Sequence, residues 1–298
     1  MNRIIAILIL SCMVTSCAFN KMYLAPDKIP VSAKSVTMVD HQNKDTLIIN
    51  IGEHFQPVFK SKNGDTAELP YNVESVLFEN TKGNRLNGWI IKPEEGYNGT
   101  TILFLHSNSG NLFTQYQEVL PLVKNGFSVF IFDYSGYGFS QGKATRDNVL
   151  LDATAALSYL QSRTDIKKEH LIIYGQSLGG HLAINLAARN QDMIDGLVTE
   201  GAFSSHKDIA AETAGFIGRI IVAEKYSGLE SVRNFHKPVL IIHSTEDETI
   251  PFEQGEKLFA NANEPKTFLK IDKCHICGLS FYPDEILNAI NKLLLQVN

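Results

Sequence analysis

Serine, a carboxylic acid and histidine together can turn a hydroxyl into a nucleophile, and the chain offers them at three separated positions. These are Ser177 within Gly175-Gln176-Ser177-Leu178-Gly179, then Asp247, then His275. A serine hydroxyl attacks poorly until a neutral imidazole takes its proton, and the imidazole needs a carboxylate to fix its tautomer and stabilise its charged form. The chemistry open to such a set is acyl transfer through an acyl-enzyme. Taken alone, Gly-x-Ser-x-Gly says little, since it turns up by chance in about one chain in ten of this length. Its context says more. The apolar Leu171-Ile172-Ile173-Tyr174 precedes it and a helical pattern follows, which reads as a buried strand, a tight turn carrying Ser177, and a helix. Gly175 and Gly179 stand where a Cβ would collide with the neighbouring strand or helix. The helix N-terminus adds unpaired N–H groups and a partial positive charge, which suit a developing oxyanion.

The elements that must position these residues follow from pattern. From Tyr71 onward, strands alternate with amphipathic helices, which predicts an α/β architecture with a mostly parallel, open doubly wound sheet. Strands are expected at 74–79, 85–91, 101–105, 127–132, 171–174, 196–199, 239–243 and 267–271, and helices at 112–124, 146–161, 252–260 and 284–295. Chemistry in such sheets sits beyond the carboxyl ends of the strands. The strand at 101–105 is followed by His106-Ser107-Asn108-Ser109-Gly110-Asn111, and that at 127–132 by Asp133-Tyr134-Ser135-Gly136-Tyr137-Gly138. Asp247 follows the strand at 239–243, and His275 the strand at 267–271. Rival acids are Glu246, Glu248 and Glu200; rival histidines are His106, His181 and His243, none of which follows the final strand. Asp133 reads as an organiser of the Gly136–Gly138 turn.

Residues 71–298 resemble an α/β-hydrolase, and more narrowly the small-capped serine hydrolases of the serine aminopeptidase-like and abhydrolase-like groups. The resemblance rests on Leu86-Asn87-Gly88-Trp89, the His106–Asn111 loop, the Asp133–Gly138 loop, Gly175 to Gly180, and Asp247 followed by Ile250-Pro251. Departures are Ser107 where Gly is usual, Ser135 where Arg is common, and Cys274 where Gly often precedes the histidine. In this setting the oxyanion donors are expected to be the backbone N–H groups of Leu178 and Asn108. A small helical cap is expected at about 203–233. Its Ile209, Ala210, Phe216, Ile217, Ile220, Ile221 and Val222 offer an apolar face over the serine, although a helix packed on the body reads the same. An apolar acyl or alkyl guest fits such a face. The expected reaction is therefore hydrolysis of a carboxylic ester or thioester. An aminopeptidase or amidase would use the same triad, the former with a carboxylate such as Glu200 or Glu212 to hold an ammonium group. A catalytically silent envelope binding protein is the reading from another class.

Composition sets outer limits. The 298 residues carry a net charge of -5 and are 44% hydrophobic, an ordinary balance for a globular protein without the basic footprint of a nucleic-acid binder. No phosphate loop, nucleotide fingerprint or metal cluster stands out, so no cofactor or metal is expected beyond a small-molecule acyl ester or peptide substrate. Cys274-His275-Ile276-Cys277 suggests either a short disulfide bracing the histidine loop or coincidence. Two Cys and one His leave a zinc set incomplete. At the N-terminus, Arg3, the apolar stretch 4–10 and small residues before Cys17 read as a secretory signal, too short to span a membrane. Val14-Thr15-Ser16-Cys17 resembles the bacterial lipobox, which implies a signal at 1–16, a lipid on Cys17, and a lipid-anchored place in the bacterial cell envelope. Residues 17–70 then read as tether plus extra β structure, with strand-like runs at 46–51 and 55–60.

Overall fold

The computed structural model of the protein describes residues 20–21, 23–39, 46–166 and 168–297; the leader and Cys17 lie outside the described residues. The first strands are β1 (Ala25–Pro26), β2 (Ser35–Val39), β3 (Thr46–Ile51) and β4 (Pro57–Lys60). Strands β2, β3 and β4 form an antiparallel sheet, whose Ile49 and Phe59 are buried in one cluster with Tyr71, Trp89 and Tyr116. The run expected to be extended from Phe55 opens instead as a 3-10 turn, Glu53–Phe55, with positive φ at His54 and Phe55.

The main sheet is built from β5 (Tyr71–Glu79), β6 (Arg85–Pro93), β7 (Thr100–Leu105), β9 (Ser128–Phe132), β10 (His170–Gln176), β11 (Gly196–Glu200), β12 (Val239–Ser244) and β13 (Lys266–Ile271), while the two-residue β8 (Ser109–Gly110) stands apart from it. Its order is β13-β12-β11-β10-β7-β9-β6-β5, parallel except at β6 and β5. Every residue of β7, β9, β11 and β12 is buried, as expected of strands covered on both faces. The helices are α1 (Leu112–Gln115), α2 (Leu120–Lys124), α3 (Arg146–Ser162), α4 (Leu178–Arg189), α5 (His206–Ile221), α6 (Gly228–Arg233), α7 (Phe252–Asn261), α8 (Gly278–Phe281) and α9 (Pro283–Leu294).

Two apolar clusters flank the sheet. Val149 and Leu157 of α3, Leu182 and Leu186 of α4 and Leu258 of α7 belong to one. Phe113 of α1, Leu122 of α2 and Ile286 and Ile290 of α9 belong to the other. The single helix expected at 112–124 is divided by a 3-10 turn, Tyr116–Val119. Pro121, near the start of α2, has no N–H to give a carbonyl one turn back, so a continuous ladder is impossible there. Among the described residues no helix is long and apolar enough to cross a membrane.

Candidate active site

Strand β10 ends at Gln176, and the next residue carries the backbone of the turn. Ser177 has φ 54° and ψ -113°, a conformation that costs an L-residue free energy and survives only where its surroundings enforce it. The enforcement is visible. A Cβ on Gly175 would lie 2.1 Å from the Gly179 carbonyl oxygen, and one on Gly179 would lie 1.8 Å from that of Leu105. The Ser177 N–H donates to Glu200 O at 2.8 Å. The turn therefore projects its hydroxyl above the rim of the sheet.

The histidine and the acid arrive from β13 and β12. Nε2 of His275 lies 2.8 Å from Ser177 Oγ, and its Nδ1 lies 2.5 Å from Asp247 Oδ2. The other oxygen, Oδ1, accepts from Thr249 N at 2.9 Å and Ile250 N at 2.7 Å. Burial pushes the Asp247 carboxyl up, but the histidines at 243 and 275 and the Ile250 amide outweigh it and hold it below the ordinary carboxylate range. A buried, ionised acid beside Nδ1 fixes the tautomer that leaves Nε2 free to accept a proton.

The rival residues are engaged elsewhere. Glu200 accepts from Tyr174 Oη at 2.7 Å, Gln176 Nε2 at 2.9 Å and Gly278 N at 2.7 Å, so it ties strand β10 to the histidine loop. Glu246 and Glu248 are both exposed, and the carboxylate bonded to the imidazole is that of Asp247. His243, buried and not in contact with Ser177, donates from Nε2 to Ile250 O at 2.9 Å, with Asp247 Oδ2 3.4 Å away. His106 and His181 are buried, and burial lowers them to about 4 and about 3. Each is a neutral core residue: His106 donates from Nδ1 to Ser107 O, and His181, with Phe203 O 3.0 Å from Nδ1 and Tyr226 O 3.2 Å from Nε2, has a single N–H to give to one of them. Cys274 and Cys277 are joined as a disulfide on either side of His275. Among the described residues no three His, Cys, Asp or Glu side chains are grouped to hold a metal.

Opposite the histidine lies the loop after β7. Among the described residues, the backbone N–H groups of Asn108 and Leu178 donate to no protein acceptor. Asn108 is held from behind: its carbonyl accepts from Ala25 N at 2.9 Å and Tyr137 Oη at 2.7 Å, and its Nδ2 donates to Tyr23 O at 3.2 Å. Strand β1 pairs in parallel with β8, and the segment continues with Asp27 N donating to Gly110 O and Ile29 N to Gly138 O. Residues 23–29 thus form a strap across the back of the loop. Nothing in their sequence signals this, because they sit in a stretch whose composition reads as tether. Asp133 anchors the same wall from below. Its Oδ1 accepts from Leu112 N at 2.6 Å, its Oδ2 lies 1.9 Å from where a Gly138 Cβ would be, and burial raises its carboxyl to about 7.

Comparison with known proteins matches this architecture. The profile of the alpha/beta hydrolase fold fits residues 100–217. YfhR of Salmonella typhi, an uncharacterized protein, is 32% identical over 247 residues, covering 76% of this chain and 84% of that protein. The chain belongs to the alpha/beta hydrolase superfamily. An alpha/beta hydrolase domain-containing protein of Arabidopsis thaliana, WAV2, is 29% identical over 211 residues, covering 66% of this chain and 68% of its own. Among solved structures, an esterase of Pyrococcus furiosus shares the fold, with a TM-score of 0.65 at 18% identity over 76% of this chain and 92% of its own. The doubly wound sheet expected from element order is that of an alpha/beta hydrolase.

In this hydrolase the serine opens into a cavity of about 360 Å³. Tyr23, Leu178, Phe203, Ile209, Ile250 and Ile276 supply its apolar lining, and among the described residues that lining holds no acidic side chain. The apolar cap face expected from sequence reaches it only in part. Of those seven residues, Ile209 alone lines the cavity. Ala210 and Val222 are buried in the body, whereas Phe216, Ile217, Ile220 and Ile221 face solvent. The cause is a break in α5 at Ala214 and Gly215, where Gly215 takes φ 57° and turns the second half of the helix away from the serine.

Proposed function

We propose that this hydrolase cleaves a carboxylic ester or thioester through an acyl-enzyme formed on Ser177. The observation that carries the reading is the unbroken contact from Ser177 Oγ through the His275 ring to a buried carboxylate of Asp247. As the Ser177 oxygen attacks the acyl carbon, its proton passes to Nε2, while Nδ1–H donates to Asp247 and steadies the imidazolium. The carbonyl oxygen takes up negative charge facing the Asn108 and Leu178 amides. His275 then returns its proton to the leaving alcohol or thiol, and water repeats the sequence to release the acid. Because the imidazole must be neutral to act, turnover falls on acidification.

A cavity of this size, with Leu178, Phe203, Ile209, Ile250 and Ile276 beside the polar rim at Ser177, suits an apolar acyl group. The absence of an acidic side chain from its described lining counts against an aminopeptidase, since Glu200 is committed to the histidine loop and Glu212 accepts from Gln254 Nε2 at 3.2 Å. Labelling by a fluorophosphonate probe that disappears in Ser177→Ala is the test. Folded, unlabelled wild-type protein would instead favour a silent binding protein. A panel of p-nitrophenyl esters of increasing length, beside aminoacyl-nitroanilides, separates ester from amide chemistry. The lipobox-like Val14-Thr15-Ser16-Cys17 supports a further part of the proposal, a lipid on Cys17 and a place in the bacterial cell envelope. Incorporation of labelled palmitate, lost in Cys17→Ala, checks it.

A further inference from the structure

We infer that the outward half of the cap helix α5 seats on a lipid bilayer, so that the Ser177 cavity opens beside a membrane surface. The observation is a cluster of exposed apolar side chains where the helix has turned away from the site. Phe216, Ile217, Ile220 and Ile221 are 76%, 68%, 64% and 41% exposed. Their spacing places them on one stripe of a helix. They are locked in that attitude: Gly218 lies so close to Ala210 that a Cβ would sit 2.1 Å from the Ala210 carbonyl oxygen, and Arg219 of the outer half donates to Asp208 of the inner half at 2.7 Å. Elsewhere among the described residues, exposed large apolar side chains are dispersed, at Val31, Val39, Phe281 and Leu295. Scattered exposure needs no explanation, whereas a contiguous patch marks a surface that meets something apolar.

The route of the N-terminus selects the bilayer as occupant. Arg146 donates from Nε to Asn20 Oδ1 at 2.9 Å and from Nη1 to Ala223 O at 2.7 Å. One guanidinium thus joins the first described residue to the end of the cap helix, two residues beyond Ile221. Cys17 stands three positions upstream of Asn20, and three residues span at most about 10 Å. A lipid on Cys17 would hold the membrane within that reach of Asn20, on the side of the protein where the cap helix ends. Charges around the stripe are of both signs, with Lys207, Arg219 and Lys225 beside Asp208, Glu212 and Glu224, so the seating is apolar rather than headgroup-specific. The inner half of the same helix supplies Ile209 and Thr213 to the cavity. The seating therefore deepens the ester-hydrolase reading, on which it rests only for its substrate, an ester whose acyl chain resides in the membrane.

The chain's single tryptophan, Trp89, is fully buried, which leaves the surface free for an introduced reporter. The full chain carrying Phe216→Trp, reconstituted in phosphatidylethanolamine–phosphatidylglycerol vesicles, should lose about half or more of the added fluorescence when the acyl chains are brominated. Leu295→Trp is the control. Leu295 is exposed, and its neighbour Leu293 packs at Gly196, at the opposite rim of the sheet, so it should keep its fluorescence. Ile217→Glu with Ile220→Glu should slow hydrolysis of a vesicle-borne ester about tenfold, because charge resists entry into hydrocarbon, and leave p-nitrophenyl acetate hydrolysis unchanged. No quenching at position 216, or equal quenching at both positions, overturns the seating, whatever palmitate labelling says of Cys17. So does a dimer in sedimentation that Ile217→Glu dissociates. Because quenching needs no turnover, protein that is quenched at 216 but fails to react with a fluorophosphonate would keep the seating and sink the hydrolase reading alone.

Discussion

On one wall of the Ser177 cavity, each proposed catalytic group stands directly behind a strand of the main sheet: Ser177 behind β10, Asp247 behind β12, His275 behind β13. On the other wall, Asn108 hangs in a loop whose carbonyl is held by Ala25, more than eighty residues upstream in the chain, and by Tyr137. The first wall is made rigid by local sterics, since the turn at Ser177 leaves no space for a Cβ on Gly175 or Gly179. The second is made rigid by partners that arrive from elsewhere. Local sterics fix a group in one place whatever its neighbours do, while a strap fixes a group only as long as its own hydrogen bonds hold. Mutations should therefore act on the two walls with different depth.

The deepest effects belong to the strand-end wall. Ser177→Ala should lower turnover by about 10⁴–10⁶-fold and abolish fluorophosphonate labelling. Asp247→Asn should cost about 10⁴-fold by releasing the imidazole tautomer; a loss below tenfold in steady-state kcat would transfer the acid role to another residue. Ala25→Pro removes the N–H that holds the Asn108 carbonyl, and a misplaced oxyanion donor should lower kcat by about 10- to 100-fold with KM nearly constant. Unchanged kcat in that variant would mean the strap is no part of the working site. Tyr137→Phe removes the other bond to the same carbonyl and should cost about fivefold, in line with one neutral hydrogen bond.

The smallest effect separates the walls by pH. The Asp247 carboxyl is held below its ordinary range, so the stability it contributes is present near neutrality and is lost as pH falls through the acid range. The Asp133 carboxyl is raised from 3.8 to about 7 by burial. The unfolded chain releases that proton near the ordinary value while the folded chain retains it, so stability declines as pH rises across that window. Urea midpoints measured against pH should show a shallower acid-side decline in Asp247→Asn and a shallower neutral-side decline in Asp133→Asn. Parallel curves for wild type and Asp133→Asn would show that Asp133 does not carry this wall's response.

The same contrast explains what is legible in the sequence. An alternation of apolar runs and amphipathic stretches marks a doubly wound sheet because both faces of each strand must be covered, and polar residues just after those runs mark its rim. Ser177, Asp247 and His275 can all be named on that basis. The strap cannot. Residues 23–29 have neither alternation nor helical period, and their partners, Asn108, Gly110 and Gly138, are known only once the loops are in place. Glu200 reads as a spare acid because a strand-end carboxylate looks the same whether it faces the imidazole or the backbone of its loop. The cap face misleads for a similar reason: an apolar period continues through Gly215, but the chain direction does not.

Glu200 carries one more consequence, concerning the order in which the site comes into being. The strap, the Asn108 loop and the Ser177 turn lie in the earlier part of the chain, and His275 follows Ser177 by 98 positions. During synthesis the earlier parts emerge first and begin to fold as they do so. Until the histidine loop arrives and its Gly278 N–H reaches the waiting Glu200, the Ser177 hydroxyl has no imidazole beside it. On the proposed mechanism a chain still in transit is chemically mute, and one carboxylate serves as the berth at which the last part of the site docks.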